Sequence, residues 1–139
     1  MLRIDVHGSR ELQALILSIR RANKEVQAEI RKHTKPMVQA EWRKGLAEHA
    51  MTRFEQRVLV DTARAATSNQ NVRLKAGGLA KRLSGGGRAR ELYAQAEFGA
   101  KPKEGTWTSR RGKRYTRTSG EQFRTFNPKG WTVYPTAAR

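Results

Sequence analysis

The chain of 139 residues lacks cysteine and has few acidic residues, and each shortage narrows what it can be. Without cysteine there are no disulfides and no thiol chemistry. Twelve Asp or Glu stand against 29 Lys or Arg, which gives a formal net charge of +17 at pH 7. A field of this sign repels other copies of the chain and attracts polyanions. The charge therefore favours nucleic acid, an anionic membrane surface or an acidic protein surface as partner.

Apolar residues are also scarce, at 37% of the chain, against the roughly 45–50% that is usual for globular proteins. Long exposed helical faces or an oligomeric state would account for this shortage. No run approaches the roughly 18 apolar residues that a membrane-spanning helix needs. The first residues have neither the apolar core nor the cleavage site of a signal peptide. We expect a protein made in the cytoplasm, without a membrane partner.

Patterns that carry catalysis or bind cofactors are missing as well. The three histidines, at positions 7, 33 and 49, have no second ligand at a metal-binding spacing. The glycine-rich stretch "AGGLAKRLSGGG" matches neither the P-loop nor the dinucleotide-binding fingerprint. No nucleophile can be paired with a base. We expect no enzyme activity, no metal and no cofactor; a nuclease is a distant alternative, since small basic proteins often cut nucleic acid.

A long helical segment is predicted for residues 9–67. Apolar residues recur at intervals of four and three from Leu12 onward, the spacing of one helix face. Pro36 predicts a kink or a new helix start, and the stretch "TSNQN" at 67–71 predicts the turn that ends the segment. We predict that this seam is an interface between subunits. Its predicted members are Leu12, Ile16, Ile19, Asn23, Val26 and Ile30.

Strand patterns lie at the N-terminus and in the second half of the chain. Alternating apolar residues predict a short strand at 2–6 and another at 72–76. The same alternation predicts a strand at 92–98. A last strand is predicted at 131–134.

Together these elements predict an α+β fold in a single domain, residues 1–139. The helical part, 9–67, is a long N-terminal helical hairpin or kinked helix. It packs on a small, mainly antiparallel sheet in the part that spans 71–139. An extended basic loop or hairpin, the predicted arm at about 101–130, projects from the sheet part.

The predicted arm has the sequence "KPKEGTWTSRRGKRYTRTSGEQFRTFNPKG", with nine Lys or Arg against two Glu. Its aromatics suit base stacking and its cations suit phosphates; equally, the aromatics pack a small sheet and the cations are a solvated loop. Nothing in it reads base edges, so we expect any DNA contact to be non-specific. The cations expected to face a partner or DNA are Arg110, Arg111, Lys113, Arg114 and Arg117. The aromatics of the predicted arm and of the last predicted strand are Trp107, Tyr115, Phe123, Phe126, Trp131 and Tyr134, of which Trp131 and Tyr134 lie in that strand and are predicted to be structural.

The stretch "YAQAEFG" has the form Tyr-Ala-x-x-Glu-Phe-Gly, and "PTAAR", the end of "VYPTAAR" further along the chain, predicts the first turn of a helix. In these motifs and in the order of its elements, the chain resembles the tail-completion or neck proteins of long-tailed bacteriophages. The resemblance spans most of the chain, and its motifs are short and structural. The residues that carry the first motif, which we place on a strand, are Tyr93, Ala94, Glu97, Phe98 and Gly99.

The resemblance implies a structural virion protein and not an enzyme. Copies would form a ring at the head–tail interface, hexameric by analogy with the tail tube, that completes the tail and joins it to the head. Neighbouring neck and tail-tube proteins would be its partners, and double-stranded DNA would pass through its lumen. The arm would dock on an adjacent ring or line the channel; we favour docking, because tightly held DNA would resist ejection. The alternative is a free-standing protein that binds nucleic acid non-specifically.

Overall fold

The computed structural model describes residues 2–5 and 10–138, and it confirms the α+β class. The predictions for position 6 of the first strand and for the helix start at position 9 lie outside the described residues. The elements are β1 (Leu2–Asp5), α1 (Arg10–Arg21), α2 (Lys24–His49), α3 (Arg53–Glu55) with a π-helical turn (Gln56–Val60), β2 (Arg64–Thr67), β3 (Val72–Ala76), α4 (Ala89–Phe98), β4 (Lys103–Thr108), β5 (Arg114–Ser119) and α5 (Val133–Ala137).

Three strands form an antiparallel sheet in the order β1-β3-β2. The prediction of a helix as far as residue 67 was wrong at β2, which pairs with β3 so that Ala65 lies opposite Leu74. The stretch 68–71 is the turn between these two strands, closed by the Ser68 amide, which donates to the Asn71 carbonyl at 2.8 Å. Alanine has the highest helix propensity, but tertiary context readily overrides propensity, and here a ladder partner and a buried face for Ala65 do so.

A new helix start at Pro36, one of the two predicted alternatives, was wrong, because α2 continues through Pro36 and the chain breaks before α2 instead. Asn23 caps α2 by accepting the Val26 amide on its side-chain oxygen at 3.0 Å, as Asn does at helix starts. Pro36 lies inside α2. It is on the exposed side of the helix, where the carbonyl that it leaves without a donor can bind water.

One stripe of α2 holds the helix against the sheet. Thr34, Trp42 and Leu46 are buried on this stripe, and Val38 packs beside them against the core. The indole nitrogen of Trp42 donates to the carbonyl of Lys75 in β3 at 3.2 Å. A buried polar tip that finds a backbone partner fixes the helix at one position along the strand.

The two last predicted strands are helical. Residues 92–98 lie in α4, and residues 133–134 of the predicted strand 131–134 lie in α5. In α4 the buried Ala89 and Ala96 are seven residues apart, with Leu92 and Tyr93 packed on the core between them, which is the repeat of a helix face. Alanine at every other position in this stretch gave the alternating pattern that is typical of a strand. Its Leu, Ala, Gln and Glu residues nevertheless all favour a helix.

Candidate functional site

Residues 101–119, called the arm from here on, form a two-stranded hairpin that projects from the fold. β4 and β5 pair in antiparallel register from Lys103 opposite Ser119 to Thr108 opposite Arg114. Every residue of β5 is exposed, and Gly105 alone in β4 is half-buried. Within the described residues, the substantial contacts of each strand are with the other. The hairpin is therefore held by its own ladder and not by the body of the protein.

A turn at 109–113 closes the hairpin and carries the basic tip. The Ser109 amide donates to the Lys113 carbonyl at 2.9 Å, and the Gly112 amide donates back to the Ser109 carbonyl at 2.9 Å. Gly112 has φ +77, a conformation that glycine adopts without strain. The five cations predicted to face a partner, Arg110, Arg111, Lys113, Arg114 and Arg117, are all exposed on the arm.

The predicted boundary of the arm at residue 130 was wrong, because the chain after residue 119 folds back onto the body. Residues 120–138 are called the clasp from here on. Phe123 contacts Phe54 with ring centroids 5.2 Å apart, and the Asn127 amide donates to the Phe98 carbonyl at 2.8 Å. Phe123, a candidate for base stacking, therefore packs within the fold. Trp131, which was predicted to be structural, lies beneath the Arg124 guanidinium, 4.8 Å from the centroid of the indole.

A buried ion pair anchors the clasp. Nε of Arg124 lies 2.7 Å from Oε1 of Glu55, whose side chain is 3% exposed. Glu55 also accepts the Met51 amide at 2.8 Å and takes part in a capping box with Thr52 at the start of α3. A carboxylate buried this deeply needs such partners, so Arg124 belongs to the fold and is not available to a ligand.

The motif residue Glu97 holds the other end of the clasp. Its side chain is fully buried in the last turn of α4 and accepts the amides of Val133 at 2.8 Å and Tyr134 at 3.1 Å. The amide and hydroxyl of Thr132 donate to it as well. A negative charge is unfavourable at the end of α4 but favourable at the start of α5, whose amides it satisfies.

At Gly99 and Gly130 the backbone passes very close to atoms of Arg124 and Glu97, respectively. Gly99 has φ +71, and a Cβ there would lie 2.3 Å from the Arg124 carbonyl oxygen. Gly130 has φ +76, and a Cβ there would lie 2.2 Å from Oε1 of Glu97. No side chain fits at either distance, so both positions need glycine.

The remaining motif residues are structural too. Tyr93 packs against the core and covers Gly77, and Phe98 contacts the Tyr134 ring with centroids 5.6 Å apart. Ala94 is half-buried on the same helix. The prediction of a strand for this motif was wrong; on a helix, its residues join α4 to the clasp. Sequence reasoning missed this role, for which an acidic residue at the end of a helix was the only local signal.

The predicted interface seam does not form one continuous stripe. Ile16 and Ile19 are buried in the fold, Leu12 packs beside the core, and Asn23 is the helix cap. Apart from the exposed cap Asn23, the accessible part of the seam is on α2: Val26 is 47% exposed and Ile30 is half-buried. The apolar spacing starts anew at the helix break before α2. The face of α2 that is buried, which includes Thr34 and Val38, is therefore a different face from the one predicted by the seam. The accessible residues, called the α2 stripe from here on, are Val26, Ile30, His33 and Met37.

No known protein family, characterised protein or solved structure matches the chain. Among residues 2–5 and 10–138, no group of His, Asp or Glu side chains could hold a metal ion. In the same part of the chain, no helix is long and apolar enough to cross a membrane. The function is therefore inferred from the geometry of the arm, the clasp and the α2 stripe.

Proposed function

We propose that this protein is a structural subunit of the neck or tail of a long-tailed bacteriophage. Copies form a ring at the head–tail interface, hexameric by analogy with the tail tube, which completes the tail and joins it to the head. Neighbouring neck and tail-tube proteins are its partners in the virion, and double-stranded DNA passes through the ring. No enzyme activity is part of this proposal.

The observation that carries the proposal is the arm. The arm is a hairpin of two six-residue strands that have few contacts with the rest of their own subunit. An isolated hairpin of this kind is only marginally stable in water. Such an element gains order from a surface outside the chain, and assembly onto a neighbouring ring would supply one.

The α2 stripe supports contacts between copies. Met37 is 62% exposed and Val26 is 47% exposed on the longest helix, and they lie on one helix face with Ile30 between them. Apolar side chains repeated along one face of a helix mark a place where another element packs.

The first test is the mass of the purified full chain by light scattering in moderate salt without nucleic acid. We expect a discrete ring, and we expect Val26→Ser with Met37→Ser to reduce it to a monomer that remains folded. Leu17→Ser is the matched control, because Leu17 is 50% exposed on α1 and lies off the stripe. A monomer at every concentration that also fails to join purified tails would overturn the proposal.

A second candidate function is free-standing, non-specific nucleic-acid binding. The arm favours it by holding seven Lys or Arg and one Glu between residues 101 and 119. Binding of this kind weakens steeply with salt and needs no ring. A monomer that binds DNA tightly and in a salt-sensitive manner would favour this candidate over the neck protein.

A further inference from the structure

Two aromatic rings lie side by side on one face of the arm. Trp107 and Tyr115 are directly opposite each other in the β4–β5 register. Their ring planes differ by 25° and their centroids are 6.5 Å apart, near the far end of the range for aromatic pairs. Each ring therefore covers little of the other, and Trp107 and Tyr115 are 41% and 47% exposed.

Gly105 explains how the indole comes to lie against the hairpin. A Cβ at Gly105 would lie 2.5, 2.8 and 3.1 Å from three atoms of the six-membered ring of Trp107. The inner side of the indole thus rests on the bare backbone of Gly105, two residues earlier on the same strand face. Its outer side faces water beside Tyr115. The two rings, called the platform from here on, are an exposed apolar pair in a highly charged segment.

Cations surround the platform on its own face. Lys103 and Arg117 share this face with the two aromatics, since side chains two residues apart on a strand point the same way. The basic tip at 109–113 adjoins it. Glu104, the one carboxylate of the arm, lies on the opposite face. That face is otherwise polar and carries Thr106, Thr108, Arg114, Thr116 and Thr118.

We propose that the platform face of the arm binds single-stranded nucleic acid. Unpaired bases stack on Trp107 and Tyr115, while Lys103, Arg117 and the tip cations contact the backbone phosphates. Two rings suit one or two bases, and stacking of this kind tolerates any sequence. The inference goes beyond the neck assignment and does not rest on it.

The geometry favours a single strand over the other polyanions. In duplex DNA the faces of the bases are already stacked, and the grooves present only base edges, so flat rings would gain nothing. An acidic protein would satisfy the cations yet leave the platform without a flat ring to cover it. The arm therefore holds duplex only through phosphates, which leaves the duplex free to slide.

The experiment measures the affinity of the full chain for a fluorescein-labelled single-stranded oligothymidylate and for a duplex of equal length, by anisotropy over a range of salt. We expect tighter binding of the single strand. Trp107→Ala and Tyr115→Ala should each weaken it by about fivefold to a hundredfold and leave the duplex affinity nearly unchanged. The matched controls, Thr106→Ala and Thr116→Ala on the opposite face, should change neither affinity by more than about twofold.

Gly105→Ala gives an independent route to the same answer. The new methyl group lifts the indole from the backbone, so single-strand affinity should fall while both aromatics remain. Arg110→Ala with Arg111→Ala should weaken single strand and duplex alike and lower the salt slope by about one for each phosphate that is no longer neutralised. Heparin, a polyanion without bases, should bind the wild type and Trp107→Ala equally.

Equal affinity for single strand, duplex and heparin, unaffected by Trp107→Ala, would overturn the proposal and leave only charge attraction. No binding of the single strand at low salt would overturn it as well. The neck assignment fails separately: a monomer that never joins tails contradicts the ring but not the platform. An intact ring with no single-strand binding contradicts the platform alone.

Discussion

The arm and the clasp are consecutive segments of one basic, aromatic-rich stretch, yet the same residue types are packed against the fold in the clasp and exposed to solvent in the arm. In the clasp, Arg124 meets the buried Glu55 at 2.7 Å and covers the Trp131 ring. In the arm, Arg117 is exposed, and the Trp107–Tyr115 pair faces solvent. The two segments differ because the clasp contacts a buried carboxylate on the body of the protein and the arm does not.

The difference teaches where each kind of charge can act. A buried pair that is broken leaves an uncompensated charge, so its cation is part of the fold. An exposed cation contributes little to folding and stays free to meet a phosphate. The comparison between clasp and arm can be sharpened by four measurements, ordered by the size of the expected effect.

The largest loss is expected for Arg124→Ala. It leaves the buried Glu55 without its cation and should lower the free energy of unfolding by about 3–5 kcal/mol, as for other broken buried pairs. Urea denaturation followed by circular dichroism measures it. Arg117→Ala in the arm is the control and should leave the urea midpoint unchanged. Equal midpoints for the two variants would abolish the distinction between clasp and arm.

Glu97→Ala should rank next, with a loss of about 2–3 kcal/mol, because it strands the buried donors at Thr132 and Val133. The short helix α5 can fray and hydrate these amides, which limits the cost. Glu91→Ala is matched on the same helix with an exposed side chain and should have no measurable effect. If Glu97→Ala unfolds at the wild-type urea concentration, Glu97 does not anchor the clasp.

A pair of glycine substitutions compares the two segments at one kind of backbone geometry. Gly99→Ala adds a Cβ within 2.3 Å of the Arg124 carbonyl at positive φ and should cost about 2–3 kcal/mol from strain and overpacking. Gly112 has a similar φ, but nothing lies within 4 Å of a Cβ there. Gly112→Ala should therefore disturb only the tip and leave the global thermal midpoint in place. A matching drop for both would mean that φ alone sets the cost.

The smallest effect on stability is expected from removing the hairpin. Replacing residues 103–119 with a short Gly-Ser link should leave the thermal midpoint of the body unchanged, because β4 and β5 pack mainly on each other. The same variant should lose single-strand binding. A large fall in the midpoint would show that the arm supports the body after all.

Prediction from sequence succeeded where a pattern was local and unambiguous. Alternation found β1 and β3, and the run of cations located the segment that contains the hairpin, which had been predicted as an extended loop or hairpin. Prediction failed in the alanine-rich "LYAQAEF" of α4, where the apolar residues fit both a strand and a helix spacing. It also failed in β2, where strand pairing overrode helix propensity. Two members of the α2 stripe, Val26 and Ile30, were predicted to lie on the seam, but separating them from the buried stripe required knowledge of the helix break at Asn23.

By itself the sequence determined the charge of +17, the α+β class and an extended basic loop or hairpin, since composition and short-range spacing act within a few residues. Only the tertiary structure decided which cations remain free. Glu55 lies 69 residues before Arg124, and Glu97 lies 36 residues before Val133. Such residues come into contact because elements that are distant in the sequence are buried against one core. No local sequence pattern predicts that contact.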